Sequence, residues 1–174
     1  MSIDAKQVSL REITSQTVRA VTNLSVAESQ KGFVATNAVS LAQALFAPAA
    51  WYRAIYCAEE LVGFIMLEDE SLESPPPEKP SIDVWRFMID ARFQGQGIGR
   101  AALLQVIEHV RAKGIFETLE LSYVPGSAAR NPSILASAFA IPEDPIKVKS
   151  SLSSRWRRMR PNPSFKRTRL RRSA

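Results

Sequence analysis

Apolar and polar residues alternate along Val8-Ser9-Leu10-Arg11-Glu12-Ile13, the period of a strand with one buried face. From Thr17 to Glu28 the period lengthens, and Val18, Val21, Leu24 and Ala27 share one face of a predicted helix. Ser40 to Phe46 reads as a second short helix, closed by Pro48. Trp51 to Ala58 and Leu61 to Leu67 are β-rich runs that meet at Glu59-Glu60, the pattern of a hairpin. Ser71 to Pro80, with Pro75-Pro76-Pro77, is an exposed loop. Ile82 to Ile89 is apolar enough for a central strand. A glycine-rich turn follows, then a helix from Gly99 to Lys113 with Leu103, Val106, Ile107 and Val110 on one face and Gly114 as its stop. Thr118 to Val124 is one more strand. After Gly126 the periodicity fails: 127–140 is ill-phased, Pro142 and Pro145 interrupt it, and Ser, Arg and Pro dominate from Ser150. The expected organisation is a domain over 1–126 and an irregular, disordered basic tail over 127–174.

Composition changes this picture little, except in charge. The 174 residues suit one domain, and 45% apolar with 23% charged residues is ordinary for a globular chain. No apolar run approaches the roughly 20 residues that span a bilayer. Met1-Ser2-Ile3-Asp4 lacks the basic and apolar regions of a secretory signal, and Cys57 is the only cysteine, so the expected compartment is the cytoplasm. The net charge of +6 hides a division. Met1 to Pro145 holds 12 Lys+Arg and all 17 Asp+Glu, a balance of −5, while Ile146 to Ala174 holds 11 Lys+Arg and no acid. Such a tail is either a polyanion-binding arm or a segment under no folding constraint.

Candidate chemistry concentrates in Gln94-Gly95-Gln96-Gly97-Ile98-Gly99-Arg100. Closely spaced glycines let backbone N–H groups converge, and the start of a helix adds unpaired donors, which together suit a pyrophosphate. A tight turn without a ligand is the plain alternative. Gly97-x-Gly99-x-x-Ala102 formally satisfies the dinucleotide fingerprint, with Glu120 placed for a ribose. Against it, Asp90-Ala91-Arg92-Phe93 separates strand from glycines, and the preceding elements include a hairpin rather than βαβ units. A phosphate loop of the Gly-Lys-Ser/Thr type is absent.

Gln94-x-x-Gly97-x-Gly99, after an apolar strand and before a helix, resembles the acetyl-CoA motif of the GNAT superfamily of N-acetyltransferases. Trp85-Arg86-Phe87-Met88-Ile89-Asp90-x-Arg92-Phe93-Gln94-Gly95 is similar to its diamine/spermidine acetyltransferase branch. So are Gln30-Lys31-Gly32-Phe33-Val34-Ala35-x-Asn37, Ala54-Ile55-Tyr56 with Val62-Gly63-Phe64, and Leu121-Ser122-Tyr123-Val124-Pro125-Gly126. The resemblance spans about residues 8 to 126. It implies an α/β fold with a mixed, mostly antiparallel sheet flanked by helices, and acetyl-CoA as co-substrate. Backbone groups of Met88 and Ile89 would hold the pantetheine arm where their strand splays from Thr118–Val124. N–H groups from Gln94, Gly95, Gln96, Gly97, Ile98, Gly99 and Arg100 would take the pyrophosphate. The acceptor would be a small-molecule primary amine of the diamine or polyamine kind, with no membrane and no nucleic-acid partner, and a homodimer as the assembly open to it. No catalytic residue and no metal is assigned. Glu28, Glu68, Asp69 and Asp83 are base candidates by type, and each also reads as a solvated surface charge.

The family pattern stops at the Val-Pro-Gly turn. Members continue into a helix with a tyrosine, which commonly protonates the departing thiolate, and a Gly-Phe pair, then a closing hairpin; Ser127 to Ala140 contains no tyrosine. One back-translation of Pro132 to Asp144, read two bases on, encodes Phe-Tyr-Leu-Gly-Leu-Gly-Phe-Arg-His-Thr-Gly-Arg, which points to a frameshift between Gly126 and Pro132. The expected fold therefore lacks the last helix and hairpin, leaving Thr118–Val124 an open edge, with poor stability and little turnover. Two other functions stay open: a non-catalytic acetyl-CoA-binding remnant, and a nucleic-acid-binding protein acting through the tail with Trp156 stacking. His109 reads as a partly exposed helix residue, Cys57 as a small core thiol, and Trp51, Trp85 and Phe87 as core or cofactor-lining aromatics.

Overall fold

One sheet runs in chain order: β1 (Val8–Arg11), β2 (Ala50–Cys57), β3 (Glu60–Asp69), β4 (Ile82–Ile89), β5 (Thr118–Ser122) and β6 (Lys147–Ser151). The computed structural model describes residues 7–122 and 147–151, with side chains from 7 to 120. β1 to β4 pair antiparallel, and β4–β5 and β5–β6 pair parallel. A parallel pair needs a crossover, and α3 (Ile98–Lys113) supplies it between β4 and β5. Two short helices, α1 (Val18–Asn23) and α2 (Asn37–Ala44), fall between β1 and β2 in the chain.

Strand alternation sends side chains to two faces, each with its own core. On the α3 face Ile65, Leu67, Ile82, Val84 and Leu119 pack with Leu103, Val106, Ile107 and Val110, the stripe that helical spacing predicts. On the α1/α2 face Ala54, Phe64, Met66 and Met88 pack with Val21 and Leu24. β4 serves both cores because it carries a bulge. Met66 pairs with Arg86 and Leu67 with Val84, which leaves Trp85 unopposed. Ile82 and Val84 therefore face α3, whereas Met88 faces α1 and α2.

Several elements differ from the sequence reading. The hairpin turns at Ala58–Glu59, one residue earlier than expected, with Ala58 in the left-handed region and Arg11 gripping Glu59 and the Ala58 carbonyl. α1 stops at Asn23 instead of running to Glu28, because Leu24 turns extended and Ser25 is bonded to Asp90. α2 starts at Asn37, three residues before the apolar pattern suggests, since the Thr36 hydroxyl caps it by accepting from the Val39 N–H. Most consequential, Lys147–Ser151 is a strand rather than irregular tail. It pairs with the whole of β5, Thr118 opposite Lys147 through Ser122 opposite Ser151, so β5 is not an open edge. The pairing is made by the backbone, which one apolar residue in five does not advertise. The segment 123–146, on which the missing helix and the frameshift reading fall, lies outside the described residues, as does 152–174 with Trp156.

Cys57 is a buried core thiol as expected. His109 is more enclosed than its place off the apolar stripe suggests. Its ring stacks on Trp51 at 4.3 Å, and its Nε2 is buried with no hydrogen-bond partner. Burial lowers its pKa below the ordinary 6.5; the nearby Lys113 and Arg53 cations add to this, and Asp69 opposes it. The unfolded chain therefore takes up a proton that the folded chain resists, and stability falls as pH drops below 6.5 toward the folded value. His109→Phe should keep the stack and flatten this part of the profile, read as urea stability against pH. Equal pH dependence in both proteins would refute the assignment.

Candidate functional site

β4 is paired unequally. β3 accompanies it to Ile89, but β5 pairs with it only from Ile82–Leu119 to Val84–Leu121. β4 runs on to Ile89 and β5 is described to Ser122, and among the described residues no β5 partner faces Trp85 to Ile89. Among the described residues, the edge of β4 away from β3 therefore carries no partner strand from Trp85 to Ile89. Met88 is buried against α1 and α2, and Ile89 packs on the α3 side.

The chain then turns in a fixed way. The Asp90 N–H donates to the Val62 carbonyl at 2.9 Å. The Asp90 carboxylate accepts from Ser25 N–H at 3.0 Å, Arg92 N–H at 3.1 Å and Arg92 Nε at 2.8 Å. Burial works against its charge, but the bonds from Arg92 and Ser25 outweigh it and hold the carboxyl below its usual range. Gln94 Nε2 donates to the Ile89 carbonyl at 2.8 Å, which ties the turn back to the strand end.

Gly95 and Gly97 both have positive φ, 76° and 77°. Gly97 is the N-cap of α3 and brings no side chain to cap it, so the first N–H groups, on Ile98, Gly99 and Arg100, have no acceptor within the helix. The helix dipole adds positive potential there. Ile98 is buried and anchors this end of α3, whereas the side chains of Gln96 and Arg100 are exposed. The Gly99 Cα approaches Ile89 and Phe87 closely enough that a Cβ would touch both at 3.7 Å, an ordinary contact. The strand end and the seven-residue turn named from sequence thus form one surface. Its spacing is not that of a dinucleotide-binding unit, since β4 follows three antiparallel strands and reaches the glycines through the Ala91–Phe93 turn.

Two of the base candidates, Glu68 and Asp83, meet Glu120 here. Glu68 is directly opposite Asp83, and Asp83 is directly opposite Glu120. Cross-strand partners share a face, and their neighbours Leu67, Ile82 and Leu119 point toward α3. Glu68, Asp83 and Glu120 therefore form a row on the α1/α2 face, one residue before the last described β4–β5 pair. Neighbouring strands lie about 4.8 Å apart, so the row is a dense strip of negative charge. The other two base candidates do not join it. Glu28 is exposed and pairs with Lys31 at 2.6 Å. Asp69 is no solvated charge: it is fully buried, bonded to Lys113 and to the Ser71 hydroxyl at 2.6 Å. His109 packs with Trp51 on the opposite face of the sheet. Sequence reasoning assigns no role to Asn37, whose buried amide donates to the Val21 carbonyl at 2.9 Å and locks α1 to α2.

Residues 19–131 match the family described as the acetyltransferase (GNAT) family. Among curated protein sequences none matches the chain. Solved structures share the fold at low identity. An integron cassette protein from the mobile metagenome of Cole Harbour Salt Marsh is 19% identical, covering 86% of this chain and 92% of its own, with a TM-score of 0.52. A transcriptional regulator from Bacillus halodurans C-125 is 16% identical over 79% of this chain and 94% of its own, with a TM-score of 0.52. The ribosomal-protein-S18-alanine N-acetyltransferase from Escherichia coli is 14% identical over 74% of this chain and 72% of its own, with a TM-score of 0.50.

The glycines that shape the site are not equivalent. A Cβ at Gly63 would lie 2.5 Å from the Met88 carbonyl oxygen, a backbone atom held in the neighbouring strand, and 2.9 Å from the Ile89 side chain. Gly63→Ala should cost about 1–3 kcal/mol by overpacking, and Gly97→Ala about 1–2 kcal/mol through its left-handed backbone. Gly99→Ala should be neutral or stabilising, being helical with room for a methyl group. Urea unfolding of the three variants checks the order, and a Gly99→Ala loss as large as that of Gly63→Ala would contradict it.

Proposed function

The chain belongs to the acetyltransferase (GNAT) family, whose members use acetyl-CoA as acetyl donor, and on that premise we propose that it moves an acetyl group to a primary amine of the diamine or polyamine class. The observation that carries the reading is a β4 edge with no partner strand past Val84 among the described residues, beside an uncapped helix start. That edge at Met88 and Ile89 would hold the pantetheine arm. The N–H groups from Gln94 to Arg100 would hold the pyrophosphate, and the positive φ of Gly95 and Gly97 keeps Cβ atoms from obstructing it. When bound, acetyl-CoA supplies an acetyl thioester.

The rest is done by the chain's own residues. The Glu68–Asp83–Glu120 row attracts a polycation and orders it along the sheet, next to the last described β4–β5 pair. A diamine has two charges to spread over such a strip, and a neutral amine has none. Attack requires one amine to lose its proton, and a carboxylate or a water beside the row can receive it. The acidic balance of the first 145 residues supports the same acceptor class.

A second reading, acetyl-CoA binding without efficient turnover, is favoured by the absence of any tyrosine beyond Tyr123. No phenol is then available from the last segment to protonate the thiolate, as expected of an out-of-frame end. The gene sequence from Gly126 to Ser150 tests this origin: a shifted frame that runs on through the tyrosine helix supports it, and stop codons there reject it.

Calorimetry of the purified chain with acetyl-CoA, followed by thiol release with spermidine and putrescine, tests the function. Binding with polyamine-dependent release is expected, with the spermidine KM rising several-fold in Asp83→Asn and with added salt, while kcat holds. Binding without release selects the second reading, and no binding overturns both.

A further inference from the structure

The segment between α1 and α2, from Leu24 to Gln30, is held to the glycine-rich turn by two separate tethers. One is the Asp90 carboxylate on the Ser25 N–H, doubled by the Ala91 N–H on the Ser25 carbonyl at 2.9 Å. The other is made of side chains. Gln94 Nε2 donates to the Gln30 Oε1 at 2.9 Å as well as to the Ile89 carbonyl at 2.8 Å. The same Gln30 oxygen accepts from the Ala27 N–H at 3.1 Å. An amide nitrogen has two hydrogens, and both of those on Gln94 point inward. Its side chain has no donor left for a phosphate, although it stands at the head of the turn. The far end of the tether lies on the α1/α2 face, where Leu24 and Val26 pack, at the Ile89 end of β4, and the acidic row lies on the same face at its Ile82 end.

We propose that Gln94 is a positioning residue that, through Gln30, couples the turn taking the acetyl-CoA pyrophosphate to the segment bordering the acceptor face. This rests on the functional reading above. A ligand that fixes the backbone at Gln94 fixes its amide, which in turn holds Gln30 and the Ala27 N–H; order at the acceptor border favours the turn by the same amount. The arrangement also sets what each position must be. Gln94 must donate twice, and Gln30 must accept twice. Glutamate can replace glutamine at 30 but methionine cannot, despite its similar length and better packing.

The test is a double-mutant cycle on the full chain with Gln94→Met, Gln30→Met and the pair, plus Gln30→Glu. Acetyl-CoA affinity is read by calorimetry, and the Ala27 amide by hydrogen exchange without ligand. Each Met variant should weaken acetyl-CoA about 5-fold, the typical worth of the one Gln94–Gln30 hydrogen bond that both variants lose. The pair should lose no more than either alone, and Gln30→Glu should stay within about two-fold of the parent. Ala27 exchange should quicken in Gln94→Met and not in Gln30→Glu. Losses that multiply in the pair, or a Gln30→Met protein that binds like the parent, overturn the coupling. If the parent chain takes no acetyl-CoA, the functional reading falls and exchange alone decides: a faster Ala27 amide in Gln94→Met supports the tether, and an unchanged one rejects it.

Discussion

A strand inside a sheet ordinarily spends its backbone groups on two neighbours, because an unpaired N–H or C=O away from water is costly. Among the described residues, β4 pairs along its length with β3 and at only three positions with β5. Everything around it accommodates this inequality. The bulge at Trp85 shifts the alternation of β4, so that Met88 joins the α1/α2 core while Ile82 and Val84 join the α3 core. The Val62 carbonyl catches Asp90 at the end of the strand, so the portion past Val84 is fixed on its β3 side. The glycine turn and the start of α3 then sit at a set distance from that strand end because Gln94 reaches back to Ile89.

The two faces of the sheet divide the labour. Toward α3 the surface is apolar, and its one titratable ring, His109, is walled in by Trp51. Toward α1 and α2 the apolar patch of Phe64, Met66 and Met88 gives way to the row of carboxylates. Like charges on adjacent strands repel, which weakens a sheet unless cations balance them.

β4 and α3 are legible in the sequence almost to the residue, because an apolar run and a helical stripe with a glycine stop carry their own evidence. The glycine turn is legible for the same reason. α1 is not, since its end is set by Asp90, sixty-five positions away from Ser25. β6 is not, because its place depends on backbone pairing with β5 and hardly on its side chains. Glu68, Asp83 and Glu120 are each visible as acids, yet their meeting depends on register. The β3–β4 register in turn carries a bulge at Trp85 that no local pattern announces. Asp69 misleads for a related reason: its partner Lys113 lies at the far end of a helix, and only the fold brings them together.

That last pair gives α3 a particular character. The helix is fastened at its start by Ile98 in the core and at its finish by Lys113 on a carboxylate with no access to water. It behaves as a strut cut to length between two sockets. Its surface can drift through many substitutions, but an inserted or deleted residue would rotate one end against the other by about 100° and leave a socket empty. Over evolutionary time the family resemblance of this segment should be kept in its length more strictly than in its letters.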